Sequence, residues 1–273
     1  MNEPELLSLT NAHRTVGDHR CHAPALDKGL DILELLAGQA DGLSRGEIST
    51  ALGRSPSENY RMVERLVSRG YVHRASGGDR YHLSSRIYRL AMQHPALRDM
   101  LDIVDPAMTR FVQSACQSAF LGVFHEGLLR VVATYDPPGG FRIAPKVGAA
   151  LGVVDTAPGL VLLAFQGPQA RSAMLRSAQQ PAPDAFGRAE IPHDKLEAIR
   201  RTGYARMPSP SFHGLEDMAV PVLAGAGSAT AVISCLIQVT GMSGDRPGRD
   251  AVCAHLLAVS RDISARIMRR PGA

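Results

Sequence analysis

The chain has 273 residues, 45% of them hydrophobic, which is enough length for two ordinary domains and enough apolar content for real cores. Aromatics are only 5% and tryptophan is absent, which argues against an aromatic cage or a base-stacking platform. A net charge of +4 with a pI of about 9.0 permits a polyanionic partner without requiring one, because placement of the basic residues decides.

Cys21, Cys116, Cys235 and Cys253 form no C-x-x-C pair and no zinc-finger spacing, so neither a metal nor a redox cofactor is expected. The first residues lack the apolar core of a signal peptide, and no apolar run has the length of a membrane span. The expectation is a cytoplasmic protein with no membrane partner and no cofactor.

Residues 1–22 read as a disordered polar arm. From Pro24 the stretch ALDKGLDILELLAG repeats leucine at helical spacing, and Gly38 can end it. Ser44 and Glu47 then form a capping box for a short helix ended by Gly53. Ser55, Pro56 and Glu58 start the next helix in the same manner, Met62, Val63, Leu66 and Val67 make its buried face, and Gly70 stops it. YVHRASGGDRYHLS predicts two short strands around a tight turn. Three helices, a hairpin and the short link GRS describe a winged helix-turn-helix over 23–84.

A linker helix over 85–98 follows, and then a domain of mixed strands and helices over 99–273. Its expected order is a helix near DMLDIVDPAMTRFVQSAC and a hairpin turning at Glu126–Gly127. A short strand at GGFRIAP, two short helices, a Pro-rich loop, a helix ended by Gly203, two strands and a closing helix complete it.

The helix opening at Pro56 has the form that enters a major groove, where residues near its N-terminus reach bases and phosphates. Ser57, Glu58, Tyr60 and Arg61 fall there. Arg61 has the fork geometry for guanine, and Glu58 can accept from cytosine. Arg74 and Arg80 on the wing suit phosphates or a minor groove, and Arg45 and Arg54 flank the helix-turn-helix. Between Arg20 and Arg98 there are 12 Lys and Arg against 8 Asp and Glu, a mild bias toward DNA. The alternative is a winged-helix protein-interaction module with no specific operator, distinguished by salt-dependent DNA binding.

The run from ALDKGLDILELLA through YRMVERLVSRGYVHR to GGDRYHLS resembles the DNA-binding domain of the IclR family of bacterial transcription regulators. FRIAPKVGAALGVVDTAPGLVLLAF and TGYARMPSPSFHGLEDMAVPV resemble the same family's effector-binding domain. The resemblance covers the chain from about Pro24 onward. It implies an α+β protein: a winged helix-turn-helix followed by a GAF-like effector domain. It further implies a homodimer that pairs into a dimer of dimers, a double-stranded operator, and a small-molecule effector, with a catabolic operon under control.

Departures bear on the effector. The family's usual histidine and lysine near the short helix are replaced by Val154 and Leu160, and its usual cysteine by Asp217. Small hydroxyl residues of the late strand have counterparts in Cys235 and Ile237. The effector pocket is expected among Phe120, Val153, Val154, Asp155, Thr156, Asp217, Met218, Cys235 and Ile237. An apolar wall beside a helix N-terminus predicts an aromatic acid or amide. No G-x-S-x-G, H-E-x-x-H, P-loop or GxGxxG occurs, so no enzymatic activity is expected.

Overall fold

The computed structural model describes residues 23–75, 77–139, 142–178, 193–209, 213–225, 227–238 and 247–270. The expected polar arm, Cys21 and the loop QQPAPDAFGRAEIP lie outside these. The chain divides into two compact units, one ending at Arg98 and the other beginning at Asp99.

The first unit holds α1 (Pro24–Ala37), β1 (Leu43–Ser44), α2 (Arg45–Ala51), α3 (Pro56–Ser68), β2 (Val72–Arg74), β3 (Arg80–Leu83) and α4 (Arg86–Met92). Ser44 and Glu47 exchange both bonds of a capping box, which sets the start of α2. At α3 the Glu58 carboxylate accepts from both the backbone N–H and the hydroxyl of Ser55. Between α2 and α3 the chain turns through Gly53 at φ +60°, a conformation favouring glycine. Asn59, buried, donates to the Ser49 hydroxyl and ties the two helices. Ile32, Leu36, Ile48, Val63, Val72 and Tyr81 form the core. Strand β3 pairs with β2 and also with the two-residue β1, a pairing not anticipated from the sequence.

Helix α5 (Pro95–Ala115) starts four residues earlier than the sequence reading has it, since proline suits a first helical turn. The second unit then has β4 (Ala119–His125), β5 (Leu128–Tyr135), β6 (Ala150–Leu151), α6 (Ala157–Ala164), α7 (Pro168–Ala178), α8 (His193–Thr202), β7 (Ala205–Pro208), β8 (Leu215–Ala224), β9 (Ser228–Gln238) and α9 (Arg249–Met268). The strands form one antiparallel sheet in the order β6-β5-β4-β9-β8-β7. Of the strand expected at GGFRIAP, the described residues 142–145 form none, and Gly148 and Ala149 bond to Val131 before β6 begins. Strand β7, also not anticipated, is an edge strand, where Pro208 is tolerated.

Side-chain alternation sorts this sheet into two faces. Phe120, Ala219 and Val232 share a core with α6, all eight of whose residues are buried. A Cβ at Gly159 would lie 2.3 Å from the Val153 carbonyl oxygen, so α6 sits against the preceding loop only because that side chain is absent. On the other parity are Leu121, Met218, Val220, Ile233 and Cys235, all fully buried; α9 packs along β8, and its Ser260 hydroxyl donates to the Pro221 carbonyl. Phe111 of α5 meets His255 of α9 at 5.1 Å between rings.

Candidate functional site

Helix α3 buries Asn59 and Val63 and turns Ser57, Tyr60, Arg61 and Arg65 outward, all exposed. Ser57 lies with its hydroxyl 3.2 Å from that of Ser55. Arg61 has no ion-pair partner among the described residues. These side chains sit on the face and near the end that a major groove would receive.

The other residues named from the sequence are bonded within the protein. Glu58 is held by Lys28 at 2.9 Å as well as by Ser55, and these partners, Lys28 foremost, bring its carboxyl down to about 2. A cytosine amine would have to displace them, so Glu58 is a cap and an inter-helix tie. Arg45 donates to the Tyr81 hydroxyl at 2.7 Å and to Glu64 at 2.7 Å, and its guanidinium lies 4.5 Å from the Tyr60 ring centre. It links α2, α3 and the wing and props Tyr60. Arg54 pairs with Asp31 at 2.6 Å, joining the turn to α1. Arg74 closes the wing on Gly78 and Asp79, and Arg80 reaches Gly42 and Glu47. Of the five arginines expected at DNA, Arg61 alone is unpaired among the described residues.

The expected effector residues do not form one group. Phe120 pairs with Ser234, and Asp217 shares their face through its bond from the Ser234 hydroxyl. Met218 pairs with Cys235, and Ile237 lies two residues on, so these three point to the opposite face, beneath α9. Cys235 and Ile237 therefore do not line a pocket with Phe120 and Asp217. The small hydroxyl on the Phe120 and Asp217 face is Ser234, one position before Cys235, and a step of one residue exchanges faces.

Asp217 is buried, and desolvation raises its carboxyl to about 6 against the opposing bonds from Ser234 and the Ala157 N–H. The protein's own carboxylate thus meets the first amide of α6. Thr156 caps the same helix, accepting from the Gly159 N–H at 3.2 Å and donating to the Gly152 carbonyl. Val153 is buried and Val154 packs on the same core. The Asp155 Oδ1 atom is buried without a hydrogen-bond partner. Burial pushes the Cys235 thiol strongly up, so it behaves as an inert apolar group. No group of three or more metal-ligating side chains occurs among the described residues, and no helix there is long and apolar enough to cross a membrane.

Comparison with known proteins bears on both units. The model of the IclR helix-turn-helix domain matches residues 25–76, and that of the bacterial transcriptional regulator IclR C-terminal domain matches residues 95–265. The glycerol operon regulatory protein of Streptomyces coelicolor is 24% identical over 254 residues, covering 88% of this chain and 96% of that one. Pseudomonas aeruginosa HmgR superposes with a TM-score of 0.70 at 22% identity, over 90% of this chain and 100% of that one. An IclR homologue from Microbacterium hydrocarbonoxydans, solved with 4-hydroxybenzoate, gives 0.69 at 20% identity, over 89% and 98%. The two matched domains, in this order and over most of the length, show that the chain belongs to the IclR family of transcriptional regulators, with a helix-turn-helix DNA-binding domain followed by an effector-binding domain.

Proposed function

We propose that this regulator reads its operator with Ser57, Tyr60 and Arg61 of α3 and controls a catabolic operon in response to an aromatic effector. The observation that carries the reading is the exposed N-terminal half of α3, where Arg61 stands without an acidic partner among the described residues. Exposed Leu26 and Leu30 on α1 and Tyr88 and Leu90 on α4 support a homodimer, because apolar side chains of this size favour a covered surface.

The effector is assigned to the α6 face of the sheet, near Phe120, Val153, Val154, Asp155, Thr156, Asp217 and Ser234. The 4-hydroxybenzoate bound by the Microbacterium homologue supports an aromatic ligand. Between an acid and an amide, the buried carboxylate of Asp217 favours the amide, which donates a hydrogen bond where a second carboxylate would repel. Catabolic control is supported by the glycerol operon regulators among the relatives.

The test is a gel-shift titration of the full chain against DNA flanking its own gene, repeated across salt and with benzamide or benzoate added. The expected result is one retarded, salt-sensitive complex, weakened or strengthened more by benzamide than by benzoate. Absence of any DNA complex at low salt would favour the protein-interaction module. Equal indifference to both probes would remove the aromatic assignment.

A further inference from the structure

We infer that Arg65 is a second DNA-contacting residue of α3, gripping a phosphate beside the base-reading end of the helix. This rests on the DNA-binding reading and adds a residue that neither the motif nor the sequence analysis marked. Helix α3 carries two acids and two arginines. Both acids are neutralised from outside the helix, Glu58 by Lys28 of α1 at 2.9 Å and Glu64 by Arg45 of α2 at 2.7 Å. Both arginines, Arg61 and Arg65, are exposed and have no acidic partner among the described residues. The helix therefore presents two uncompensated positive charges.

Their spacing places them together. Arg61 and Arg65 are four residues apart, one turn, on the face opposite Asn59 and Val63, and both line the same open groove beside Lys28. Like charges at this spacing are mildly destabilising to a helix. An uncompensated pair of this kind serves a partner that brings negative charge. Arg65 stands about 6 Å further along the axis than Arg61, at 1.5 Å per residue. With the N-terminal end directed at base edges, that distance takes the long Arg65 side chain to the phosphates bordering the groove.

The wing supplies the contrast. Arg74 and Arg80 lie at the surface as well, but each is bonded to a carbonyl and to an acid, Asp79 or Glu47. Their charge is cancelled locally, and a phosphate there would meet the acid too. Arg65 in the last turn also suits the helix dipole. That purely structural role would lower the melting point without touching salt dependence.

The deciding experiment measures binding of the full chain to a random-sequence duplex from about 50 to 200 mM salt, by fluorescence anisotropy, for wild type, Arg65→Ala, Arg65→Lys and Arg61→Ala. Arg65→Ala should flatten the slope of log affinity against log salt by about one unit, equally on every sequence tested. Arg65→Lys should keep the slope. An unchanged slope with a lowered melting point would overturn the inference in favour of the dipole role. A loss confined to one operator would overturn the phosphate assignment in favour of base reading. Failure of the wild type to bind DNA would remove the DNA-binding reading itself and this inference with it.

Discussion

In the first unit, Arg45, Arg54, Arg74 and Arg80 lie near the surface and are bonded to acids and carbonyls brought from other elements or from the hairpin turn. In the second, Asp217, Ser234, Ser260 and Ser264 are buried within or against a sheet whose two faces are both covered. The surface pairs are weak and exchangeable, because water and salt screen exposed charges. The interior groups cannot trade partners with water, so each carries a standing cost if its partner is lost. On the proposed function, operator reading by the first unit depends on the charges left uncompensated. On the same proposal, effector binding by the second depends on which parity of a strand faces which helix.

The largest effect that probes this contrast is on the α9 face. Met218→Ala should destabilise the second unit by about 2–5 kcal/mol in denaturant titration, since Met218 is fully buried beside Cys235. It should leave the Asp217 environment unchanged. If Met218→Ala instead alters effector binding at unchanged stability, the two-face assignment is wrong.

The next effect is the titration of Asp217. Its native carboxyl is raised to about 6, above the ordinary value of 3.8. The folded state thus keeps a proton that the unfolded chain releases. The stability this contributes is full below the unfolded value and is lost as pH rises through about 6. Relative to Asp217→Asn, wild type should lose at most about 3 kcal/mol across that window. Parallel pH–stability curves for the two proteins would mean that Asp217 is hydrated and not buried.

Smaller effects fall on the first unit. Arg45→Ala should weaken operator binding by releasing Tyr60, with little change in salt slope, because Arg45 positions a neighbour and is already paired with Glu64. A drop of a full unit of slope would make it a phosphate contact. Arg74→Ala should move the slope least, by less than about half a unit, in contrast to the full unit expected of a free wing arginine.

Local signals made much of this molecule readable in advance. Ser44 with Glu47, Pro56 at the start of α3, and Gly53 act over a few residues, and the helices they bound are present. The pairing of the arginines was not readable, because Arg45 finds Glu64 and Tyr81 at separations of 19 and 36 residues. Strand β9 showed its alternation but not its orientation. Both its faces are buried, so apolar pattern does not say that Ser234, and not Cys235, faces α6. Strand β7 escaped notice because it is only four residues long and ends in proline.

On the proposed function, the exposed face of α3, led by Arg61, reads the operator. Footprinting with Arg61→Ala beside wild type tests it most directly. Arg61→Ala should lose about 1–3 kcal/mol in specific binding and relax the preference at one base position. Unchanged protection at unchanged protein concentration would contradict it and take Arg61 off the reading surface.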